Sequence, residues 1–279
     1  MIGDLISFDS SWLVIGALVV FVFFAFPYVA APFIVGMTLR FRLPAQVIRV
    51  DPQQTPLPED VRLYFDQAYH VLTANGFVLL DVMFLPTIVP NVRSLLAVYV
   101  NRRTCDAAMS VFMLAEGPMS TVRKRHVEFI RRFSDGTLVQ TNNSDELGAF
   151  PPKPHEHTTQ FAQLADVGRL YAIHCFLARK LGGMSTPVLR IDAEYQGNAL
   201  EYVARVAIDE SLTAQIKTGY LTGSPQELRP TLRGAVIMAW QELWPAKAIR
   251  RARRRRAAEA ASREFDASAA GGGGDARGP

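Results

Sequence analysis

The sequence predicts an α+β fold in which a single N-terminal transmembrane helix precedes an antiparallel-sheet domain with helices on one face and a C-terminal basic amphipathic helix. No charged residue occurs between Asp9 and Arg40, and this apolar run exceeds the roughly 20 helical residues that cross a hydrocarbon core of about 30 Å. Beyond it, hydrophobic residues follow a helical period, then short runs typical of strands, and then a helical period again. These patterns predict one anchor followed by one folded domain.

The apolar run 12–37 is best explained as a membrane anchor. A signal peptide should begin with basic residues, whereas the leader MIGDLISFDSS contains no Lys or Arg. The one plausible cleavage point, after Ala31, is followed by Pro32, which we expect to block processing. Pro27 and Pro32 leave an alternative open, which is a re-entrant hairpin that bends near them and returns both ends to the cytoplasm.

Charges beside the anchor predict its orientation. Arg40, Arg42 and Arg49 follow the run while the N-terminal side is acidic, so the positive-inside rule places the N-terminus outside and the C-terminal bulk in the cytoplasm. Cys105 and Cys175 are too few and too far apart for a disulfide framework, which fits a reducing cytoplasm. We therefore expect a single-pass protein of the inner (cytoplasmic) membrane.

Composition divides the chain into six segments. Four prolines between residues 44 and 58 break regular structure and indicate an extended stalk, and the Gly-rich end has no apolar content to support a fold. The predicted segments are a short extracytoplasmic N-terminus (1–11), the anchor (12–37), the Pro-rich stalk (38–57), an α+β cytoplasmic domain (58–183), a helical region with the basic helix (184–266) and a disordered tail (267–279).

Within the domain, turn signals separate two helices from a sheet. A helix is predicted to start near Pro58 and to stop at Asn75-Gly76. The next runs predict a meander of four or five antiparallel strands, with a hairpin turn at Ser134-Asp135-Gly136. A second helix, capped by Asp166 and ended by Gly182-Gly183, should pack on one face of this sheet.

Two segments carry a resemblance to known proteins. FSDGTLVQTNN and GYLTGSPQELRPTLRGAVIMAWQELWPAKAIRRARRRR resemble parts of uncharacterised bacterial membrane-anchored proteins, which share a Pro-Thr before an amphipathic helix and a Leu-Trp-Pro inside it. The resemblance covers most of the chain and implies membrane anchoring. It includes no catalytic signature, so it assigns no activity or residue role.

Basic residues are concentrated at the C-terminal end. From Lys247 onward the sequence contains nine Lys or Arg residues and four acidic residues, a net charge of +5. Residues 1–246 therefore have a net charge of −1. Tryptophans favour the membrane interface, and a cluster of about 4 to 8 basic residues beside them is typical of anionic-lipid recognition. Nucleic-acid binding and a solvated helix face are alternatives, but an anchored chain has the membrane as its nearest polyanion, which disfavours nucleic acid as the partner. The predicted lipid-binding residues are Trp240, Trp244, Lys247, Arg250, Arg251, Arg253, Arg254, Arg255 and Arg256.

Histidines offer the main alternative function, a membrane-bound metal-dependent hydrolase using the His155/His157 loop. A His-x-His pair in an extended segment places two imidazoles on one side, and His174 could supply a third ligand. However, no carboxylate recurs at a familiar spacing and the His-Glu-x-x-His pattern is absent. We therefore favour exposed loop histidines, a structural role for His174 and no cofactor.

Basic residues also occur along the predicted strands. Several would converge near one end of the meander, where they could face the membrane or an acidic partner, although charged strand edges that discourage pairing explain them equally well. Alternation within residues 126–133 predicts a half-buried strand with His126 on its exposed face. The basic set is Arg102, Arg103, Arg123, Lys124, Arg125, Arg131 and Arg132.

Together these patterns favour a non-enzymatic, membrane-anchored binding or scaffolding module. The anchor and the basic helix would attach the domain to one membrane at two points. The sheet, or the loop from Asn143 to Gln160, would then be presented to a protein partner.

Overall fold

The anchor is one continuous helix in a computed structural model that describes residues 10–51, 54–86, 92–116, 121–146, 148, 150–151, 153 and 155–271. It consists of α1 (Ser10–Val20), a π-helix (Phe21–Ala25) and α2 (Phe26–Thr38). Between Ser11 and Thr38 it is long and apolar enough to cross a membrane, and no other helix in the described ranges meets both criteria. The chain continues as helix through Pro27 and Pro32, where the alternative required a hairpin.

The predicted stalk is part of the folded domain. Phe41 is buried and exchanges backbone hydrogen bonds with Leu228, at 2.9 and 2.8 Å. Farther along, Val50 N donates to Val82 O at 2.8 Å. The segment is therefore packed rather than extended, because its apolar residues join the hydrophobic core.

The domain is built on a mixed, mostly antiparallel sheet, which confirms the α+β fold. Seven strands follow one another in sequence order, all antiparallel except β7, which lies parallel to β6, and a short eighth strand pairs with β5. A separate hairpin is formed by the last two strands. The strands are β1 (Ile48–Arg49), β2 (Val78–Leu85), β3 (Val92–Asn101), β4 (Asp106–Glu116), β5 (Thr121–Phe133), β6 (Leu138–Asn142), β7 (Glu156–Gln160), β8 (Pro187–Val188), β9 (Leu221–Ser224) and β10 (Glu227–Pro230).

Helices cover both faces of this sheet, whereas the sequence predicted helices on one face. The helices are α3 (Glu59–Ala74), α4 (Val167–Gly182), α5 (Arg190–Ala193), α6 (Ala199–Tyr202), a π-helix (Val203–Asp209), α7 (Glu210–Lys217), α8 (Leu232–Glu242) and α9 (Ala246–Gly271). Helices α3, α4 and α9 pack on one face around Tyr99 and Phe129. Helices α5 to α8 and the β9–β10 hairpin pack on the other face around Val98 and Val100. Strand β3 is apolar on both sides, so both sides require cover.

Local signals position the elements of the first face as predicted. Helix α3 follows Pro58 and ends before Gly76, whose φ of 83° suits glycine. Helix α4 begins at Asp166, whose carboxylate accepts a hydrogen bond from Arg169 N at 3.0 Å, and ends at Gly183. The predicted turn at 134–136 joins β5 to β6. These predictions are confirmed.

Helix α9, which contains the predicted basic segment, packs along the domain. Ala258 and Ala261 are buried in the first core, and Phe265 packs edge-on against Phe176 of α4. The helix continues to Gly271, into the predicted disordered tail, because its alanine-rich face has a partner surface. The rest of that tail, 272–279, and residues 1–9 of the predicted N-terminal segment lie outside the described residues.

Candidate functional site

Helix α8 lies antiparallel against the second half of the anchor, at a contact that we call the anchor joint. Near one end, Gly36 lies opposite Ala235, and a Cβ added to Gly36 would make an ordinary van der Waals contact with the alanine Cβ at 3.8 Å. Near the other end, the rings of Tyr28 and Trp240 meet edge to face with centroids 6.0 Å apart. Small residues at Gly36 and Ala235 allow this close approach of the two helices.

Pro32 explains a hydrogen bond at the anchor joint. A proline within a helix has no N–H to donate to the carbonyl four residues earlier, which here belongs to Tyr28. Trp240 Nε1 of α8 donates to that oxygen at 2.8 Å, and the Tyr28 hydroxyl donates in return to the Trp244 carbonyl. The interhelical pair thus satisfies a carbonyl that the anchor's own backbone leaves free.

The exposure of the anchor's side chains changes between Phe26 and Pro27, close to the hydrogen bond at Tyr28. Every side chain described from Ser11 to Phe26 is exposed, whereas several from Pro27 to Gly36 are partly covered. Trp240 and Trp244 remain 46% and 69% exposed. The anchor joint therefore combines a bare apolar helix, its covered continuation and two exposed indoles.

The predicted basic residues of α9 divide into two groups. Lys247 pairs with Glu242 at 2.8 Å, Arg250 Nη2 donates to Gly148 O at 3.0 Å, and Arg254 donates to Gln160. These three are partly covered. The others remain exposed on the helix surface, although Arg255 lies 3.5 Å from Glu259; they are Arg251, Arg253, Arg255 and Arg256. Only this second group is free to contact a surface outside the domain.

A cavity of about 890 Å³ lies on the second face of the sheet. His126 and Glu128 of β5 and Gln140 of β6 form part of its floor. Val206 and Ala207 of the π-helix Val203–Asp209 line the opposite side. The alternation of β5 thus directs His126 into this cavity, half-buried, and not onto an exposed face as the sequence predicted.

Burial shifts the pKa values of the two ionisable side chains on the cavity floor. Burial lowers the pKa of His126 to about 4, so its imidazole is neutral. Burial also raises the pKa of Glu128, although the Gln140 amide, which donates to Glu128 Oε1 at 2.6 Å, opposes this effect. The floor therefore combines a neutral imidazole with a carboxyl group whose charged form is disfavoured by burial.

A second polar cluster lies on the opposite face of β5, beneath α4. Arg131 donates two hydrogen bonds to the Asp106 carboxylate, at 2.6 and 2.7 Å, and the Tyr171 hydroxyl donates a third at 2.9 Å. His174 Nδ1 lies 3.0 Å from the Thr141 hydroxyl, and its Nε2 lies 3.4 Å from Asp106. Burial opposes ionisation of Asp106, but bonds and charge from His174 and Arg131 hold its pKa well below the usual range. This buried cluster joins α4 to the sheet.

The predicted histidine ligands do not assemble. His155 and His157 are exposed, whereas His174 is completely buried in the cluster beneath α4. Among the described residues, no group of three His, Cys, Asp or Glu side chains could hold a metal ion. The geometry therefore gives the metal-dependent hydrolase no support.

Several basic residues of the strands pair with separate acidic residues, so the predicted set does not act as one unpaired patch. Arg131 is buried against Asp106, whereas Lys124 pairs with Asp145 at 2.7 Å on the surface. Arg102 pairs with Asp192 at 2.7 Å on the turn between β3 and β4. These contacts neutralise much of the predicted basic set locally.

Sequence reasoning missed both the cavity and the buried cluster. Their common signal was β5, where charged residues occupy both alternating faces, although one face of a half-buried strand should be apolar. No family model, curated protein or solved structure matches the chain in comparisons with known proteins.

Proposed function

We propose that the protein is a membrane-anchored binding module whose domain faces the cytoplasm and contacts anionic lipid at the anchor joint. The observation that carries this proposal is the hydrogen bond from the Trp240 indole to the Tyr28 carbonyl left free by Pro32. It ties a domain helix to the anchor, so that the domain is held at one position above the bilayer. A loosely tethered domain would need no such contact.

Aromatic residues mark two levels along the anchor. At 1.5 Å per residue, Trp12 and Tyr28 are about 24 Å apart along the helix axis. Tyr28 lies beside the exposed Trp240 and Trp244. Trp and Tyr concentrate at both boundaries of a hydrocarbon core of about 30 Å. The two levels are about 6 Å closer together than this core is thick, so we assign them to the two interfaces of a locally thinner bilayer. The anchor joint then lies at the inner interface.

Helix α9 begins directly after this level. Its exposed residues Arg251, Arg253, Arg255 and Arg256 all lie within twelve residues of Trp244. Basic residues near an anionic surface contribute on the order of 1 kcal/mol each and act within a Debye length of about 8 Å. The exposed group is thus suited to contact lipid headgroups, while Arg250 and Arg254 hold α9 to the domain. Arg40, Arg42 and Arg49 support the cytoplasmic orientation.

Fluorescence quenching tests the lipid contact in the full-length protein. In a Trp12→Phe background, the remaining tryptophans are Trp240 and Trp244. In nanodiscs that contain brominated lipid, we expect brominated phosphatidylglycerol to quench them more strongly than brominated phosphatidylcholine. The variant Arg253→Gln/Arg256→Gln should reduce this preference, because it removes two exposed charges without breaking a contact within the domain.

Arg103→Gln/Arg179→Gln is the matched control, since it removes two exposed charges outside the α8–α9 region. It should leave the preference unchanged. Absence of quenching by either lipid would reject the interfacial position of the anchor joint. Equal quenching by both lipids in the unsubstituted background would reject anionic-lipid recognition. For orientation, a C-terminal reporter active only outside the cell would contradict the cytoplasmic placement.

A further inference from the structure

The cavity on the second sheet face has a polar side and an apolar side. Gln140 donates to Glu128 at 2.6 Å on one side, with His126 nearby on β5. Met109 and Met113 of β4 line another part of the wall. A volume of about 890 Å³ lies within the range of small-molecule sites. The lining therefore suits a molecule with both a polar and an apolar part.

Formal charges around the cavity are largely paired with each other. Lys153 lies 3.3 Å from Glu156, and Glu210 lies 2.8 Å from Arg190, which sits behind the cavity wall. Two further charged residues of the wall also have partners. Glu146 pairs with Lys124, and Arg254 donates to Gln160. Arg132 is the remaining lining cation within the described residues. An uncharged polar group would meet donors and acceptors here and would add no charge of its own that needs a partner.

The apolar part of the wall is adaptable. Methionine side chains are flexible and polarisable, which suits them to chains of variable shape. Val206 and Ala207 face the cavity from a seven-residue π-helix. Because π-helices are frequent at functional sites, this irregular helix is a further indication of a binding site.

One end of the cavity wall is attached to the elements that hold the domain at the membrane. Gly148 O accepts from Arg250 of α9 at 3.0 Å. Phe150 stacks on Tyr220 with ring centroids 5.8 Å apart, and Arg233 of α8 lies 5.1 Å from the Tyr220 ring centroid. The wall at Gly148 and Phe150 is thus linked directly to α8 and α9, beside the anchor joint.

We propose that this cavity binds an uncharged single-chain amphiphile taken from the membrane, with a hydroxyl-bearing head on Glu128 and Gln140 and its chain against Met109 and Met113. Monoacylglycerols have this chemistry. The inference rests on the proposed function, because the membrane supplies the ligand only if the domain is held beside it.

Photolabelling tests the site in the full-length protein in nanodiscs. The probe is a monoacylglycerol with a diazirine in its acyl chain, and the labelled peptides are identified by mass spectrometry. We expect labelling of β4 around Met109 and Met113. Ala207→Trp should abolish this labelling by filling the cavity, whereas Ala193→Trp, on a surface helix outside the cavity, should not.

Recognition of the polar head of the amphiphile by Glu128 is tested with a separate substitution. Glu128→Ala should reduce β4 labelling about tenfold, the effect expected for loss of one hydrogen bond of about 1.4 kcal/mol. Labelling confined to the anchor, or equal labelling of β4 by diazirine-bearing oleate, would overturn the proposal. Tryptophan quenching by brominated lipid, measured on the same samples, reports the anchor joint independently. Failure of the cavity proposal is thereby distinguished from failure of the proposed function.

Discussion

Strand β5 carries two clusters of ionisable residues that face opposite sides of the sheet. On one side, Arg131 is held against Asp106 beneath α4, with both side chains buried. On the other, His126 and Glu128 border a cavity of about 890 Å³. Both clusters contain ionisable side chains. Those of the first cluster pack against one another, whereas those of the second border empty space. We infer that the first serves stability and the second serves binding.

The pKa shifts of the two carboxyl groups have opposite directions. Charge-assisted bonds from Arg131, with His174 close by, outweigh burial and lower the pKa of Asp106. Among the residues that the structure describes, the Gln140 amide is the hydrogen-bond partner of Glu128, and burial outweighs this bond and raises the pKa of Glu128. A buried carboxylate with an arginine favours its charged form, whereas one with a neutral amide does not. This difference separates the structural cluster from the candidate ligand site.

The largest expected effect is the loss of Asp106. Asp106→Ala leaves Arg131 buried without its partner, and breaking a buried ion pair in this way costs about 3–5 kcal/mol. The free energy of unfolding of the full-length protein in detergent micelles, measured by guanidinium titration with far-UV circular dichroism, should fall by that amount.

Asp192→Ala provides the control for this prediction. Asp192 also pairs with an arginine, Arg102, but both side chains are partly exposed. An exposed pair contributes about 0–1 kcal/mol, so this variant should be close to the unsubstituted protein. Equal losses in the two variants would contradict the structural role of the buried cluster.

Two tyrosines extend the comparison at smaller magnitude. The Tyr171 hydroxyl donates to the Asp106 carboxylate at 2.9 Å, so Tyr171→Phe should cost about 1.5–3 kcal/mol, the contribution of a hydrogen bond to a charged group. Tyr202 lines the cavity, and its hydroxyl bonds to no described residue. Tyr202→Phe should therefore change the unfolding free energy by less than about 0.5 kcal/mol. A larger loss at Tyr202 would show that the cavity side also carries stability.

Much of the fold could be predicted because its signals are local. Asp166 caps α4, Gly76 follows α3, and the turn at 134–136 sets the β5–β6 hairpin. Each signal involves residues within one turn of the feature that it marks, so one sequence is enough. The helix that is long and apolar enough to cross a membrane could also be predicted, because length and composition are local properties of the sequence.

The candidate sites depend on contacts between distant segments and could not be predicted. Arg131 and Asp106 meet only when β4 pairs with β5, and His174 joins them from α4. The Trp240 bond to the Tyr28 carbonyl links residues 212 positions apart. One signal was available: SLLAVYVN in β3 is apolar without alternation, which is typical of a strand covered on both faces. If this run had been interpreted as a strand covered on both faces, the sequence would have predicted the second helical layer.

The smallest expected effect is a pH dependence on the cavity side. Because the folded protein raises the pKa of Glu128, the folded state binds its proton more tightly than the unfolded state above about pH 4.5. Ionisation of Glu128 therefore lowers the free energy of unfolding as pH rises through the pKa that Glu128 has in the folded state. Glu128→Gln cannot ionise and keeps an amide partner for Gln140, so its stability relative to the unsubstituted protein should increase from pH 4.5 to pH 8.

Asp106→Asn should show the opposite trend, which makes the two variants mutual controls. The pKa of Asp106 is lowered, so its stabilisation is present above the unfolded value of about 3.9 and is lost as pH falls through the folded value. The loss of unfolding free energy in this variant should be full at pH 7 and shrink in acid.

His126 contributes its own pH dependence between about pH 4 and 6.5, where stability falls on acidification. His126 is present in both variants, so its contribution cancels in the difference from the unsubstituted protein. Slopes of the same sign for Glu128→Gln and Asp106→Asn would show that the two faces of β5 do not differ in the way that their partners indicate.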